Sequence, residues 1–471
     1  MKNFKLLLLS LLYLFVFVYT SHAQISTDKI DAVMDQFVKL DQFSGTILIA
    51  KDGNILFAKA FGEANKDHHV KNKINTKFNI GSIGKTFTGT AIMQLAEKGK
   101  LDVNDPVVKY LPDFPFGDKI KIHHLLTHTS GTFNYFAHPD FKTKMFSVRS
   151  VSDALPLIYD QKLVFDTPGE KFSYSNSGIV LLGAIIEKVT GQSYFSYIKE
   201  NILDPLGMND TRINFGEEII ENRSTGYMKT PTGKFKSNIY LVPPANADGG
   251  IETTVEDMLK FDQALYGEKL LSNEYKEKMF TPFLNSYAYC WRIDTIYGHP
   301  VIGHGGGAPG INAMFYRFVD DKITMIIMSN YDLGANNISP TLEAILFNQE
   351  YETPKPKVEE FLYESMKETG IDYTLENAET LLKENGYDVR RDFEFNILGY
   401  TLIEEKLYDM AIAVFTINTK LFPNIANTFD SLAEAYMISG DKESAIKYYK
   451  KALDVDPDFE HAKEMLEKLS Q

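Results

Sequence analysis

The sequence predicts an α+β domain, an antiparallel sheet flanked by helices plus a helical subdomain, followed by an all-α domain built from repeats. Three observations carry this. Apolar runs flank Asp52-Gly53 in SGTILIAKDGNILFAKAFGEAN, the signature of a two-residue hairpin turn. A second hairpin reads at 312–330, where NAMFYRF and KITMIIMSN are separated by Val319-Asp320-Asp321. Strands at both ends, with mostly helical sequence between about 100 and 245, point to one sheet made from both ends of the domain and not to a βαβ winding. Finally, Leu398, Gly399, Ala411, Phe415 and Pro423 return 34 residues later as Leu432, Ala433, Ala445, Tyr449 and Pro457.

The elements follow in order. Residues 1–23 have Lys2 and Lys5, an apolar run from 6 to 20, and small residues Ser21 and Ala23 before a cleavage position. That is the tripartite pattern of a secretory signal peptide, and the run is short for a spanning helix, which needs about 20 residues. The expected location is periplasmic or extracellular, with no membrane span after cleavage. No cysteine follows the cleavage position, so no lipid anchor is indicated there. Residues 84–98 read as an apolar helix ended by Gly99, and 177–191 as a strongly apolar helix stopped by Gly191. The stretch YETPKPKVEE, 351–360, has two prolines, five charges and little to bury, and reads as a linker. Beyond it, 361–471, small residues at helix-crossing positions, an aromatic, and a closing proline at a 34-residue period form the tetratricopeptide pattern. Residues 358–386 read as a degenerate first unit and 459–471 as a capping helix.

Composition narrows the function. Of 471 residues 44% are apolar and 24% charged, which suits two or three folded domains. The formal charge of −14 argues against a nucleic-acid partner, which needs a basic face. Cys290 is the only cysteine, so neither an internal disulfide nor thiolate-zinc chemistry has the ligands it needs; Cys290 reads as a small buried apolar residue.

The stretch IGSIGKTFTGT, 80–90, nearly satisfies three motifs. A phosphate-binding loop needs glycine at position 79, which is asparagine, and a buried strand before it. A nucleophile elbow needs glycine at position 80, which is isoleucine. S-x-x-K remains, as Ser82 and Lys85. The spacing alone says little, since it recurs at Ser26, Ser196, Ser439 and Ser444, and an ordinary pair of this kind is a helix-capping serine with a solvated lysine. Ser82 differs in standing where a loop enters a helix, whose N-terminal amides face developing negative charge. Lys85 falls one turn on, on the same helix face, and an apolar helix follows to desolvate it. A serine hydroxyl needs such a base to become a nucleophile.

Two further segments complete a constellation: Tyr174-Ser175-Asn176 in GEKFSYSNSG and His304-Gly305-Gly306 in GHGGGAPG. In this order, and with IKIHHLLTHTSG, LGMNDT and DGGIETTVEDMLKF, the chain from about 28 to 350 resembles serine β-lactamase and penicillin-binding-protein relatives. It is most similar to the class C β-lactamase-like group, which includes D,D-peptidases, D-aminopeptidases and esterases. The resemblance implies a β-lactamase/transpeptidase-like fold and a serine hydrolase working through an acyl-enzyme, with no cofactor and no metal. It makes Ser82 the nucleophile, Lys85 its base or the holder of a shared proton, and Tyr174 a proton relay, leaving open whether Lys85 or Tyr174 is the main base. Asn176 is implied to bond the substrate carbonyl or Lys85. His304, Gly305 and Gly306 line the opposite wall, and the amides of Ser82 and Gly307 form the oxyanion hole. Relatives commonly have lysine where this chain has His304. Neutral histidine holds a substrate carboxylate less well, which favours an ester or peptide substrate over efficient β-lactam hydrolysis.

His124 and His128 at i, i+4 suggest a metal pair, but the glutamate of H-E-x-x-H is missing. His68-His69 reads as a solvated loop. A reading from another class is a binding or scaffold protein with relic motifs, since helical repeats commonly hold a protein or peptide partner. A small-molecule or peptide substrate is the expectation for the first domain.

Overall fold

The computed structural model describes residues 26–213 and 219–470; the predicted signal peptide lies outside them. Strands β1 (Gly45–Lys51) and β2 (Asn54–Phe61) form the first hairpin. Asp52 and Gly53 have φ of 49° and 77°, the left-handed pair of a type I′ turn, as the Asp-Gly signal predicts. Short strands follow: β3 (Phe78–Asn79), β4 (Tyr227–Lys229), β5 (Phe235–Ser237) and β6 (Ile251–Thr253). Then come β7 (Arg292–Ile296), β8 (His299–Ala308), β9 (Ile311–Phe318) and β10 (Ile323–Ser329).

The main sheet has six strands in the order β7-β8-β9-β10-β1-β2, all antiparallel. β1 pairs with β10 from Gly45↔Ser329 to Lys51↔Ile323, so the two ends of the domain do close one sheet. Alternation along the strands serves two cores. Ile47, Ile49, Met325 and Ile327 pack with helices α1 (Thr27–Lys39) and, near the domain's end, Gly334–Leu346. Leu48, Ala50, Ile326 and Met328 face the other way, into the large core shared with α2 (Lys85–Glu97) and α3 (Asn176–Thr190). Gly191, at φ 71°, ends α3 in the left-handed conformation.

Residues 351–357 form no helix or strand, and α5 (Val358–Thr369) begins inside the stretch whose composition reads as linker; α4 is the Gly334–Leu346 helix. The chain then runs α6 (Ile371–Glu384), α7 (Phe393–Glu404), α8 (Tyr408–Leu421), α9 (Ala426–Ser439), α10 (Lys442–Val455) and α11 (Glu460–Ser470). The residues repeating at 34 are the ones that pack: Leu398, Ala411, Phe415, Leu432, Ala433, Ala445 and Tyr449 are all buried. The array sits on the β4–β5 hairpin, where Lys229, Lys234 and Lys236 pair with Glu360, Glu405 and Glu404 at 3.0, 2.8 and 2.7 Å. Among the described residues no helix is long and apolar enough to cross a membrane.

Candidate active site

Ser82 lies in a single 3-10 turn, Gly81–Gly84, that feeds straight into α2. Lys85 is the first residue of α2 and is fully buried. Its Nζ stands 2.8 Å from Ser82 Oγ and donates to the Asp248 carbonyl oxygen at 2.6 Å. A lysine so enclosed has its amine fixed by these two oxygens and directed at the hydroxyl. The nearby Asp248 carboxylate is also buried and accepts from Tyr135 Oη at 3.2 Å. Burial raises the Asp248 pKa, opposed by the Lys85 charge.

Tyr174 and Asn176 come from the loop entering α3. The Tyr174 ring lies 5.1 Å from Lys85 Nζ and 4.2 Å from the His128 ring, with the Tyr287 and His304 rings each 6.4 Å away. Asn176 opens α3, and its amide donates to Asn134 Oδ1 at 3.4 Å. All four of these side chains around Tyr174 thus come from segments distant in sequence.

The opposite wall is β8. β7 pairs with β8 only from His299 to Gly303, so His304 to Ala308 has β9 on one side and is open to the Ser82 turn on the other. Gly306 is required there: a Cβ on it would collide with the Ile80 carbonyl oxygen and come within 3.1 Å of Ser82 N. A Cβ placed on Gly81 would lie 2.9 Å from Gly307 N, so the Ser82 and Gly307 amides belong to the same small space. Gly305 and Gly307 are exposed on that strand while His304 and Gly306 are buried.

His304 is turned away from solvent. Its Nδ1 donates to the Gly305 carbonyl at 2.6 Å, which leaves Nε2 to accept from Tyr287 Oη at 2.9 Å. Burial, helped by the Lys85 charge, pushes its pKa down to about 3, so it is neutral across the physiological range. The neutral histidine expected from the sequence is present, with both ring nitrogens occupied by protein groups. His128 is equally enclosed and has φ 54°. Its Nδ1 accepts from Ser175 N–H at 3.2 Å, which places its proton on Nε2, a buried atom with no hydrogen-bond partner. Burial, then Lys85, then His304 hold its pKa well below the ordinary value.

The structure therefore brings Ser82, Lys85, Tyr174, Asn176, His304, Gly305, Gly306 and Gly307 to one cleft. It adds Asp248, Tyr135, His128 and Tyr287, which carry no spacing signal of their own; Asp248 and His128 lie in quoted stretches whose partners only folding reveals. His124 and His128 do not share a helix face, because the Ile122–Leu126 helix ends before His128 and His124 Nδ1 accepts from Lys121 N–H.

The beta-lactamase family profile matches residues 30–346, and a tetratricopeptide repeat profile matches 426–459. Penicillin-binding protein 4* of Bacillus subtilis is 33% identical over 341 residues, covering 67% of this chain and 74% of that protein. The teichoic acid D-alanine hydrolase of Staphylococcus aureus is 27% identical over 303 residues, covering 63% of this chain and 72% of its own length. The crystal structure of a penicillin binding protein from Bacillus halodurans superposes with a TM-score of 0.62 at 31% identity, over 66% of this chain and 98% of that one. With its sheet, its Ser82 cleft and a profile match across more than half its length, this chain belongs to the beta-lactamase family, as a relative of penicillin-binding proteins that also carries a tetratricopeptide repeat.

Proposed function

We propose that this protein is an exported serine hydrolase that cleaves an ester or amide through an acyl-enzyme on Ser82. The observation that carries it is the fully buried Lys85 amine, 2.8 Å from Ser82 Oγ and tied to the Asp248 carbonyl. Acylation calls for the deprotonated form of Lys85, in which one N–H stays on the Asp248 carbonyl and the lone pair faces the Ser82 hydroxyl. Ser82 Oγ bonds to the substrate carbonyl carbon as its proton passes to Lys85. The oxyanion is met by the Ser82 and Gly307 amides, a kind of stabilisation whose loss costs about 10²–10³ in rate. The C–O or C–N bond then breaks, and the Tyr174 hydroxyl hands the proton on to the departing group. Water repeats the sequence to release the acid. Asn176 orients the substrate carbonyl.

His304 offers no permanent cation for a substrate carboxylate, and its nitrogens are engaged by Gly305 and Tyr287. This supports a neutral ester or amide, or a D-amino-acid peptide, over a β-lactam. The teichoic acid D-alanine hydrolase among its relatives supports hydrolysis as the reaction. The pattern of residues 1–23 supports export, and we assign the hydrolase unit to about 28–350 and the helical unit, with a protein or peptide as its partner, to about 361–471.

A serine-directed covalent probe such as a fluorophosphonate, which loses fluoride as the serine oxygen bonds to phosphorus, should label the wild-type protein once, at Ser82. Ser82→Ala should abolish labelling with thermal stability retained, and persistent labelling of that variant would defeat the assignment.

A further inference from the structure

Beside the Ser82 turn lies a cavity of about 590 Å³ that the catalytic steps above do not use. Asn79 and Gly250 are in its lining. Asn79 Oδ1 accepts from Gly81 N–H at 2.8 Å, and a Cβ on Gly249, next to Gly250, would stand 3.5 Å from Ser82 N. Gly310 and Ile311, at the turn from β8 into β9, also line it. The cavity therefore adjoins the Ser82 turn on two segments, at Asn79, three residues before Ser82, and at Gly250, next to a glycine packed on the Ser82 amide.

Its lining is mixed, with Phe78, Phe146, Ile239 and Tyr240 beside Asn330, Arg149 and Arg223. Phe146, Ile239 and Tyr240 line it while exposed by 43%, 59% and 81%, so apolar side chains stand open at its mouth. Its charged groups are already engaged. Arg223 pairs with the buried Glu252 at 2.8 Å, and Arg149 Nε donates to the Phe146 carbonyl at 3.2 Å. A volume of this size suits a whole drug-sized group, about 300–1,000 Å³ being usual for ligand pockets, and an alanyl methyl would leave it nearly empty.

One wall is the foot of the β4–β5 hairpin, Gly226 and Asn238. Asn238 Oδ1 accepts from Gly226 N–H at 3.2 Å and its Nδ2 donates to the Pro309 carbonyl at 2.8 Å, fixing the foot to the β8–β9 turn. The far end of the same hairpin is gripped by the helical array. Lys229 and Glu360 pair there with side chains only 18% and 15% exposed, and Thr232 Oγ1 donates to Glu405 at 2.6 Å. A half-buried pair of this kind holds position better than the exposed Lys236–Glu404 pair.

We propose that this cavity receives the acyl group of the substrate and selects one that is bulky, apolar and uncharged, with the helical array fixing its wall through the β4–β5 hairpin. The proposal rests on the acyl-enzyme reading, and the experiment separates the two. Turnover of p-nitrophenyl acetate, phenylacetate and hemisuccinate is measured on the full chain. The expected kcat/KM is at least tenfold higher for phenylacetate than for acetate, with hemisuccinate no better than acetate. Tyr240→Ala should cut the phenylacetate-to-acetate ratio at least fivefold. Lys229→Glu should lower the same ratio through KM, and adding Glu360→Lys should restore it. Equal kcat/KM for the three esters, all lost in Ser82→Ala, overturns the cavity proposal and leaves the acyl-enzyme standing. A ratio unmoved by Lys229→Glu overturns the role of the array. Absence of any Ser82-dependent turnover defeats the acyl-enzyme reading. Calorimetry of phenylacetamide against acetamide on Ser82→Ala protein then still decides the cavity: tighter binding of phenylacetamide supports it and equal binding overturns it.

Discussion

Gly306 and Gly399 solve the same problem in the two parts of the chain, a neighbour too close for a side chain, and they meet different neighbours. A Cβ on Gly306 would strike the Ile80 carbonyl, backbone of the turn that carries Ser82. A Cβ on Gly399 would strike the Phe415 ring, a side chain of the next helix. Backbone cannot yield without moving the nucleophile, whereas a ring can shift at the cost of packing. The contrast extends to what is buried. The cleft encloses Lys85, Asp248, His128 and His304, while the array's cores are Leu398, Phe415, Ala433, Ala445 and Tyr449. Polar burial aims chemistry in the cleft, whereas the buried polar groups of the array, such as Asn418, Thr428 and Asp430, bond within and between its helices.

Lys85→Met is the largest expected break in this contrast. It preserves the bulk and the burial and removes the amine, so acylation by a serine probe should fall by about 10³, within the range of lost proton-transfer catalysis. Circular dichroism should show the fold intact. An unchanged acylation rate would refute Lys85 as the base. Gly306→Ala should come next. With Ile80 pushed back, the Ser82 and Gly307 amides lose register, and kcat should fall by about 10²-fold, the scale of one oxyanion donor, with KM changing less. A Gly306→Ala enzyme with wild-type kcat would show that the strand gives way and that the close approach is not functional.

Gly399→Leu tests the other side. Overpacking against Phe415 should cost the array about 1–3 kcal/mol. The single tryptophan, Trp291, is fully buried in the hydrolase core, so its fluorescence reports that region alone. The array should melt earlier by circular dichroism while the Trp291 transition and p-nitrophenyl acetate turnover hold. A joint loss would mean that the two regions unfold as one.

Much of this was legible in residue order. Asp52-Gly53 fixed a hairpin because only a few residues accept two left-handed φ values in succession. The alternation at Ile47–Ala50 and Met325–Met328 fixed the two faces of the sheet. The 34-residue period was readable because each repeat packs on its neighbour in the same way. The start of α5 at Val358 reads two ways, since composition carries the linker to 360 while the degenerate first unit begins at 358, where the helix does begin. Motif order singled out Ser82, Lys85, Tyr174 and His304, which the fold places near one another. Asp248, Tyr287 and His128 were not assigned roles, since a carbonyl acceptor, a phenol 17 residues from its histidine and an imidazole tilted against the Tyr174 ring are relations of space.

Acid should distinguish the two regions most gently and in a fixed direction. His304, at about 3, and His124, at about 4, titrate below the ordinary 6.5, and His123 and His128 are shifted the same way, in each case chiefly by burial. The unfolded chain takes up these protons below pH 6.5 and the folded one does not, so their contribution is fully present above 6.5 and is lost as pH falls toward 3–4. Asp248 acts oppositely: its raised pKa favours the folded state at low pH and is lost as pH rises. Asp332 and Glu343 act in the same direction as Asp248, Glu343 being pushed up to about 7 by burial, so four histidines stand against three carboxyls and set the net direction. Stability followed by Trp291 fluorescence should therefore drop between pH 6.5 and 4.5, more steeply than the array followed by circular dichroism, and His304→Gln should flatten the drop by about one proton. A Trp291 transition that holds or strengthens over that interval would show that the buried imidazoles take up protons in the folded state, and that the neutral His304 drawn into the mechanism is wrong.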